Sequence, residues 1–334
     1  MNEAHSRRGA MNDLARVVRA AHDALDPSIL RTPLVYSAAL SDLARCRVYL
    51  KQENLQITGS CKARSAWTNL LAIAPERRAQ GVVTASTGNN GIATAWAARR
   101  LGIPATVLLP RSIDDYKAEL IRQSGMATVM VDGDIVDAET QARRHAQSIG
   151  ATYCSPYNSW EAVYGQATIA LEVLEQLAEL GARADDVVVP VGGGGLISGI
   201  AAICDAVATG IRVTGVQPIA SAVMARSVAA GRLLELSSRP TISDATMGGV
   251  EGGSITFELC RRLVDDFLLV EERDLKRALL YLLETHDLLV EGSGALAVAA
   301  LLGNRARFAG RTVVLLLCGA NIDPSRVARW SADD

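Results

Sequence analysis

Lysine is scarce in this chain of 334 residues: of its 34 basic residues, only Lys51, Lys62, Lys117 and Lys276 are lysines. Any chemistry that needs a primary amine must draw on these four. Histidine is equally rare, with His5, His22, His145 and His286 standing at no metal-ligand spacing. That argues against a zinc site and against a histidine-activated nucleophile. Six cysteines (Cys46, Cys61, Cys154, Cys204, Cys260 and Cys318) are scattered without a C-x-x-C pair, as expected of reduced thiols rather than a disulfide framework. No apolar run reaches the ~18 residues of a membrane helix. The first ten residues lack the apolar stretch of a secretion signal and read as a frayed terminus, so a cytoplasmic location is expected. A net charge of -2 gives no reason to expect nucleic acid or an acidic membrane as partner.

What the chain does have is alternation. Short β-prone runs at Gly81–Ala85, Ala105–Leu109, Ala127–Val131 and Ala151–Cys154 are separated by helical stretches, among them Asp114–Ser124 and Ile135–Ile149. A second series follows: a helix near Glu161–Leu180, strands at Asp186–Val191, Arg212–Val216 and Arg311–Cys318, and a helix after Gly195. Apolar runs bounded by Gly or Pro and joined by amphipathic helices predict parallel sheets buried on both faces. The length suits two α/β units better than one. Between Pro218 and Val270 the pattern gives no assignment beyond tight or close-approach backbone at Gly248, Gly249, Gly252 and Gly253.

Four elements carry chemistry. Gly192, Gly193, Gly194 and Gly195 follow an apolar strand and precede a helix, where main-chain N–H groups crowd round an anion; the alternative is a flexible turn. Ser86-Thr87-Gly88-Asn89-Asn90-Gly91 also joins strand to helix and suits a carboxylate, or else a plain N-cap. Lys62 stands behind a Gly59-Ser60 turn at the start of an apolar helix, where burial and the positive helix end lower an amine pKa. A neutral amine is what forms an imine with an aldehyde, whereas a solvated charge is the plainer reading. Lys117, beside Asp114, Asp115 and Glu119, and Lys276, among Glu271, Glu272 and Asp274, read as surface charges, and Lys51 as structural. Cys318-Gly319-Ala320-Asn321 ends an apolar strand at the sheet edge where ligands sit, although a buried thiol is ordinarily packing.

In this order the elements resemble the fold-type II pyridoxal-phosphate enzymes, in particular the threonine/serine dehydratase branch. The similarity runs from Arg31-Thr32-Pro33-Leu34 to Asp323. It includes Leu50-Lys51-Gln52-Glu53-Asn54-Leu55, Thr84–Asn89, Val191–Gly195, Gly248-Gly249-Val250-Glu251, Val290-Glu291-Gly292 and Cys318–Asp323. The resemblance implies two three-layer α/β/α domains with mainly parallel sheets, as in the tryptophan synthase beta fold. Residues 1-57 and 156-334 would form a large cofactor-binding domain and 58-155 a smaller substrate-closing one. Lys62 would hold pyridoxal 5'-phosphate as a Schiff base and shuttle the α-proton. Gly192 to Gly195 would cradle the phosphate, Asn89 would bond the ring hydroxyl, and Ser86, Thr87, Gly88 and Asn89 would grip the substrate carboxylate. Cys318 matches the position facing the ring nitrogen, and Glu291 a glutamate near the ring. A thiol cannot fully protonate that nitrogen, which favours loss of a β-leaving group over a long-lived carbanion.

The chain departs from the branch at Cys61, in place of phenylalanine, at Ser65, in place of glycine, and at Asn90, in place of histidine. Tyr157-Asn158-Ser159-Trp160-Glu161 replaces a more acidic segment. The chain ends soon after Asn321, so the regulatory domain of feedback-controlled relatives is not expected. The activity implied is that of an ammonia-lyase taking a β-hydroxy amino acid to a 2-oxo acid and ammonia, with the cofactor phosphate as acid for the hydroxyl. β-Replacement and racemisation are the rival outcomes, the latter needing Thr87 or Ser86 as a second acid–base group. A cofactor-free binding subunit is a third reading. A homodimer and a divalent or monovalent cation are family expectations.

Overall fold

The computed structural model describes residues 2–207 and 210–332, with the side chains of 2–12 and 332 excepted. Among the described residues ten strands form two sheets: β1 (Leu34–Tyr36), β2 (Arg47–Lys51), β3 (Val82–Ala85), β4 (Ala105–Pro110), β5 (Ala127–Val131), β6 (Thr152–Tyr153), β7 (Asp186–Pro190), β8 (Arg212–Pro218), β9 (Asp266–Val270) and β10 (Thr312–Leu316). The larger sheet has the order β1-β2-β10-β7-β8-β9, and the smaller β5-β4-β3-β6. Only the β1–β2 pair is antiparallel. The smaller sheet takes all its strands from residues 82–153.

Strand sequence explains the layering. β7 and β10 are valine- and leucine-rich and buried throughout, as strands covered on both faces must be. The two-residue period sends Val314, Leu316 and Cys318 into one core layer with Val187, Val189 and Val191. Val313, Leu315 and Leu317 enter the opposite layer with Val48, Leu50 and the Gly292–Gly303 helix. That helix (GSGALAVAALLG) is apolar all round and buried on every face, so it offered no amphipathic period to read. β9 and the Glu272–His286 helix were likewise unassigned from the sequence. Of the first ten residues, expected to fray, Met1 lies outside the described residues and the rest belong to a helix over Asn2–Asp23.

Both sheets place a loop at a topological switch point. β7 has β8 on one side and β10 on the other, and its carboxyl end runs into Gly192. β3 lies between β4 and β6, and its carboxyl end runs into Ser86. Open parallel sheets form crevices at such points, and here the two face a common one.

Between the sheets runs a buried ionic network. Arg64, fully buried, grips both oxygens of Glu53 at 2.9 Å and both of Glu172 at 2.7 and 2.8 Å. Lys51, also fully buried, donates to Glu172 at 2.6 Å, to Gln176 at 3.0 Å and to the Thr32 carbonyl at 2.8 Å. The structural reading of Lys51 therefore holds. Arg64 is two residues beyond Lys62, so this network sets where the Lys62–Leu71 helix begins.

Candidate active site

Lys62 opens its helix directly after a segment that bridges to the end of β10. Ser60 pairs with Gly319, and the Cys61 amide donates to the Cys318 carbonyl at 2.9 Å. Lys62 and Cys318, 256 residues apart by number, are thereby adjacent to one crevice. The Lys62 amine donates to the Pro156 carbonyl at 2.8 Å. Burial holds its pKa below the ordinary lysine range, which enlarges the neutral, nucleophilic fraction.

The crevice has a volume of about 900 Å³, including its solvent-filled mouth. All four glycines from Gly192 to Gly195 line it, where the Gly195–Ala206 helix starts. A Cβ on Gly193 would lie 2.4 Å from the Tyr157 ring, and Gly194 has a left-handed φ of +88°. Only glycine admits this path, which exposes the first N–H groups of a helix to the crevice. Such groups have no partner within the helix and suit a phosphate. A desolvated amine and an anion cradle on one crevice fit a phosphorylated aldehyde. Gly193→Ala should displace Tyr157 and lower cofactor affinity at least tenfold, about 1.4 kcal/mol, while leaving secondary structure intact. Equilibrium titration with pyridoxal phosphate, beside circular dichroism, checks this.

Across the crevice, Ser86, Thr87, Asn89 and Asn90 line the wall at the start of the Asn89–Leu101 helix. Ser86 Oγ accepts from the amides of Gly88 at 2.9 Å and Gly91 at 2.8 Å, so this hydroxyl also shapes its own loop. Asn90 turns to Thr84 Oγ1 at 2.9 Å. Asn89 donates to Glu291 at 2.5 Å and accepts from Asn321 at 2.8 Å, which fixes its amide with nitrogen toward the carboxylate. Glu291 thus stands behind Asn89 and off the crevice wall, with its second oxygen bound by Lys117 at 2.5 Å.

Lys117 corrects the sequence reading. It is buried, not a surface charge, and it pairs with Glu291 and with Asp244 at 2.9 Å. Burial opposes its charge, but the two carboxylates outweigh it and hold the ammonium above its ordinary range. Asp114, Asp115 and Glu119 misdirected the reading. Lys117 shares the inward face of its helix with Ile121, one turn on, and the side chain crosses Gly88, where a Cβ would lie 2.3 Å from Lys117 Cδ. Lys276 is half-buried, 5.8 Å above the Trp330 ring.

Two thiols complete the floor. Cys61 and Cys318 both line the crevice, and burial pushes Cys61 up to about 12 and Cys318 well above its ordinary value. Both stay neutral thiols at physiological pH. On the crevice wall, Gly248 and Gly249 pack on Ile135 and Val136, with a Cβ on Gly248 falling 2.4 Å from Ile135, so the expected close approach is met there. Nothing lies within 4 Å of a Cβ on Gly252 or Gly253, of which Gly253 has a left-handed φ of +71°. Two further wall residues, Glu139 and Tyr157, were not identified from the sequence as site residues. Glu139 lies in the row Ile135, Glu139, Ala142, Ala146 of its helix, and an acid within that mostly apolar stripe was the available signal. Among the described residues no group of three or more His, Cys, Asp or Glu could hold a metal ion.

An amine, a glycine loop at a helix start and a hydroxyl- and amide-bearing loop share one crevice, an arrangement that fits pyridoxal phosphate. The family model described as "Pyridoxal-phosphate dependent enzyme" matches residues 25–319, and the chain belongs to that family. It is similar to the L-threonine ammonia-lyase of Thermotoga maritima, with 38% identity over 93% of this chain and 76% of that protein. The phenylserine dehydratase of Ralstonia pickettii is 36% identical over 89% of this chain and 90% of its own length. The solved structure of maize serine racemase superposes with a TM-score of 0.86 at 32% identity, covering 95% of this chain and 98% of that one. No helix among the described residues is long and apolar enough to cross a membrane.

Proposed function

We propose that this protein is a pyridoxal-phosphate-dependent ammonia-lyase that takes a β-hydroxy amino acid, such as threonine or serine, to a 2-oxo acid and ammonia. The observation that carries the reading is the single crevice shared by a desolvated Lys62, the Gly192–Gly195 cradle and the Ser86–Asn89 loop. The ammonia-lyase and dehydratase named among its relatives support the reaction class.

When bound, the cofactor supplies an electron sink that makes the substrate Cα proton removable. Lys62 would hold the cofactor, and as a neutral amine it is the group placed to take that proton. Its lowered pKa suits both tasks. Gly192, Gly193, Gly194 and Gly195 would hold the cofactor phosphate by main-chain N–H groups, and Cys318 would face the cofactor as a neutral thiol. Ser86, Thr87, Gly88 and Asn89 orient the substrate carboxylate. Glu291 acts through Asn89 by fixing its amide, and Lys117 and Asp244 fix Glu291 in turn. In this reading residues 58-155 form the smaller closing domain, and 1-57 with 156-334 the larger one. A homodimer, a cytoplasmic location and activation by a mono- or divalent cation belong to the same proposal; sedimentation, fractionation and salt-dependent assays test them.

The deciding assay incubates the holoenzyme with L-threonine, L-serine and L-phenylserine and follows 2-oxo acid. Release from at least one is expected, and release from none sinks the lyase reading. Thr87, whose hydroxyl belongs to a wall residue, is the group on which racemisation would depend. Chiral analysis of the recovered amino acid in the same incubation decides that alternative.

A further inference from the structure

The lyase reading leaves one step without a protein group: a hydroxide is a poor leaving group unless it receives a proton. Glu139 is a buried acid on the crevice wall for which nothing above supplies a task. It is only 2% exposed, and it shares the wall with Lys62 and Pro156. Its Oε2 accepts from the Tyr157 hydroxyl at 2.9 Å. Tyr157 receives the Glu251 amide on its own oxygen at 3.0 Å, so its single hydrogen points at Glu139. With Oε2 held as an acceptor, a proton on this carboxyl resides on Oε1. That second oxygen has no partner among the described residues and is not sealed from the crevice. Tyr157 is in turn fixed by the phosphate cradle, since it packs on Gly193 and Gly195.

We propose that Glu139 is the acid that binds the side-chain hydroxyl of the substrate and protonates it as it leaves. This rests on the lyase reading and assigns to the protein a proton transfer that the family resemblance gives to the cofactor phosphate. The Oε1–H bond breaks while the Cβ–O bond breaks with its electron pair on oxygen, and water departs. Glu139 is left as carboxylate, and Lys62 holds the proton taken from Cα. Transfer of that proton from Lys62 to Glu139 restores both groups. The two are electrostatic neighbours across the crevice.

The surroundings keep the acid form available. Burial raises the Glu139 pKa to about 8, and the nearby Glu251 carboxylate adds to this. The Tyr157 hydrogen bond and the charges of Lys62 and Arg143 oppose them and are outweighed. Arg143 is drawn off by Glu251 at 2.8 Å and stacks 4.3 Å over the Tyr153 ring. Below about pH 8 the proton is therefore present, and turnover of a hydroxy amino acid falls as pH rises through that value.

The test compares holoenzyme and Glu139→Gln on L-serine and on β-chloro-L-alanine, whose chloride leaves without a proton. Glutamine keeps the shape and an acceptor for Tyr157, and matched thermal midpoints check the fold. Turnover of serine should fall on the order of 10²–10⁴-fold, lose its alkaline limb near pH 8, and leave chloroalanine close to wild type. The infrared carbonyl band of a buried carboxylic acid, fading as pH is raised through 8, should be present in the wild-type protein and missing from the variant. Equal loss on both substrates, or unchanged serine turnover, overturns the proposal while the lyase reading stands. If the wild-type protein releases oxo acid from neither compound, the lyase reading fails and this assignment fails with it.

Discussion

Lys62→Ala should release no measurable 2-oxo acid, a loss on the order of 10³-fold or more, because one side chain both links the cofactor and moves the Cα proton. The second readout is independent of turnover. Wild-type protein loaded with pyridoxal phosphate should keep the cofactor through denaturation after borohydride reduction, and the variant should lose it. In the proposed reading the Gly192–Gly195 loop holds the phosphate without the amine, so the variant should still take up cofactor noncovalently. Lys62→Arg should behave as the alanine variant does, since a guanidinium stays protonated and cannot attack an aldehyde. Retention of reducible cofactor by Lys62→Ala would move the covalent role to another amine. Lys51, Lys117 and Lys276 are poor substitutes. The first two are locked in ion pairs, and Lys276 sits over Trp330, away from the crevice.

The largest loss of stability should come from Arg64→Ala. Removing this guanidinium leaves Glu53 buried without its ion-pair partner and Glu172 with only Lys51 and His22, which costs about 3–5 kcal/mol, or on the order of 10 °C in melting temperature. Arg64→Lys keeps a charge but cannot bond both carboxylates at once, so it should recover only part of the loss. The same network sets an acid limit. Burial works against the Glu172 carboxylate, but the His22, Arg64 and Lys51 groups around it overcome this and hold its pKa near 2, from an ordinary value of 4.5. A depressed carboxyl contributes stability above its unfolded value and loses it as pH falls toward the folded one. Urea midpoints should therefore hold at neutral pH and drop between about pH 4.5 and 2. In Arg64→Ala the drop should be smaller, because the folded Glu172 pKa then lies nearer its unfolded value. Because Arg64 lies two residues beyond Lys62, the folded fraction of this variant should also turn over more slowly.

Much of the site was legible from local chemistry. Four consecutive glycines between a strand and a helix, or a lysine after Gly-Ser at a helix start, state their capability over a span of a few residues. The alternating core of β7 and β10 was equally plain, because strands buried on both faces are written as unbroken valine and leucine. Elements whose burial comes from contacts far along the chain were not legible. The Gly292–Gly303 helix has no polar face, so no period marked it.

The lysines mark the boundary between the two kinds of information. Scarcity, a residue count, reduced the candidate amines to four. The tertiary structure decided what each one does, because a charge is defined by what surrounds it. Lys117, flanked in sequence by acids, turns inward and meets Glu291, 174 residues away. Glu139, one carboxylate among 36 acidic residues, has its pKa raised on the crevice wall because burial and the Glu251 carboxylate outweigh the Tyr157 hydrogen bond and the nearby cations. Sequence alone thus pointed to the pyridoxal-phosphate family, to which the chain belongs, and to Lys62 as the amine proposed to serve it. Only the packing of two sheets, which desolvates some charges and pairs others, decided which of the remaining ionisable groups share in the chemistry.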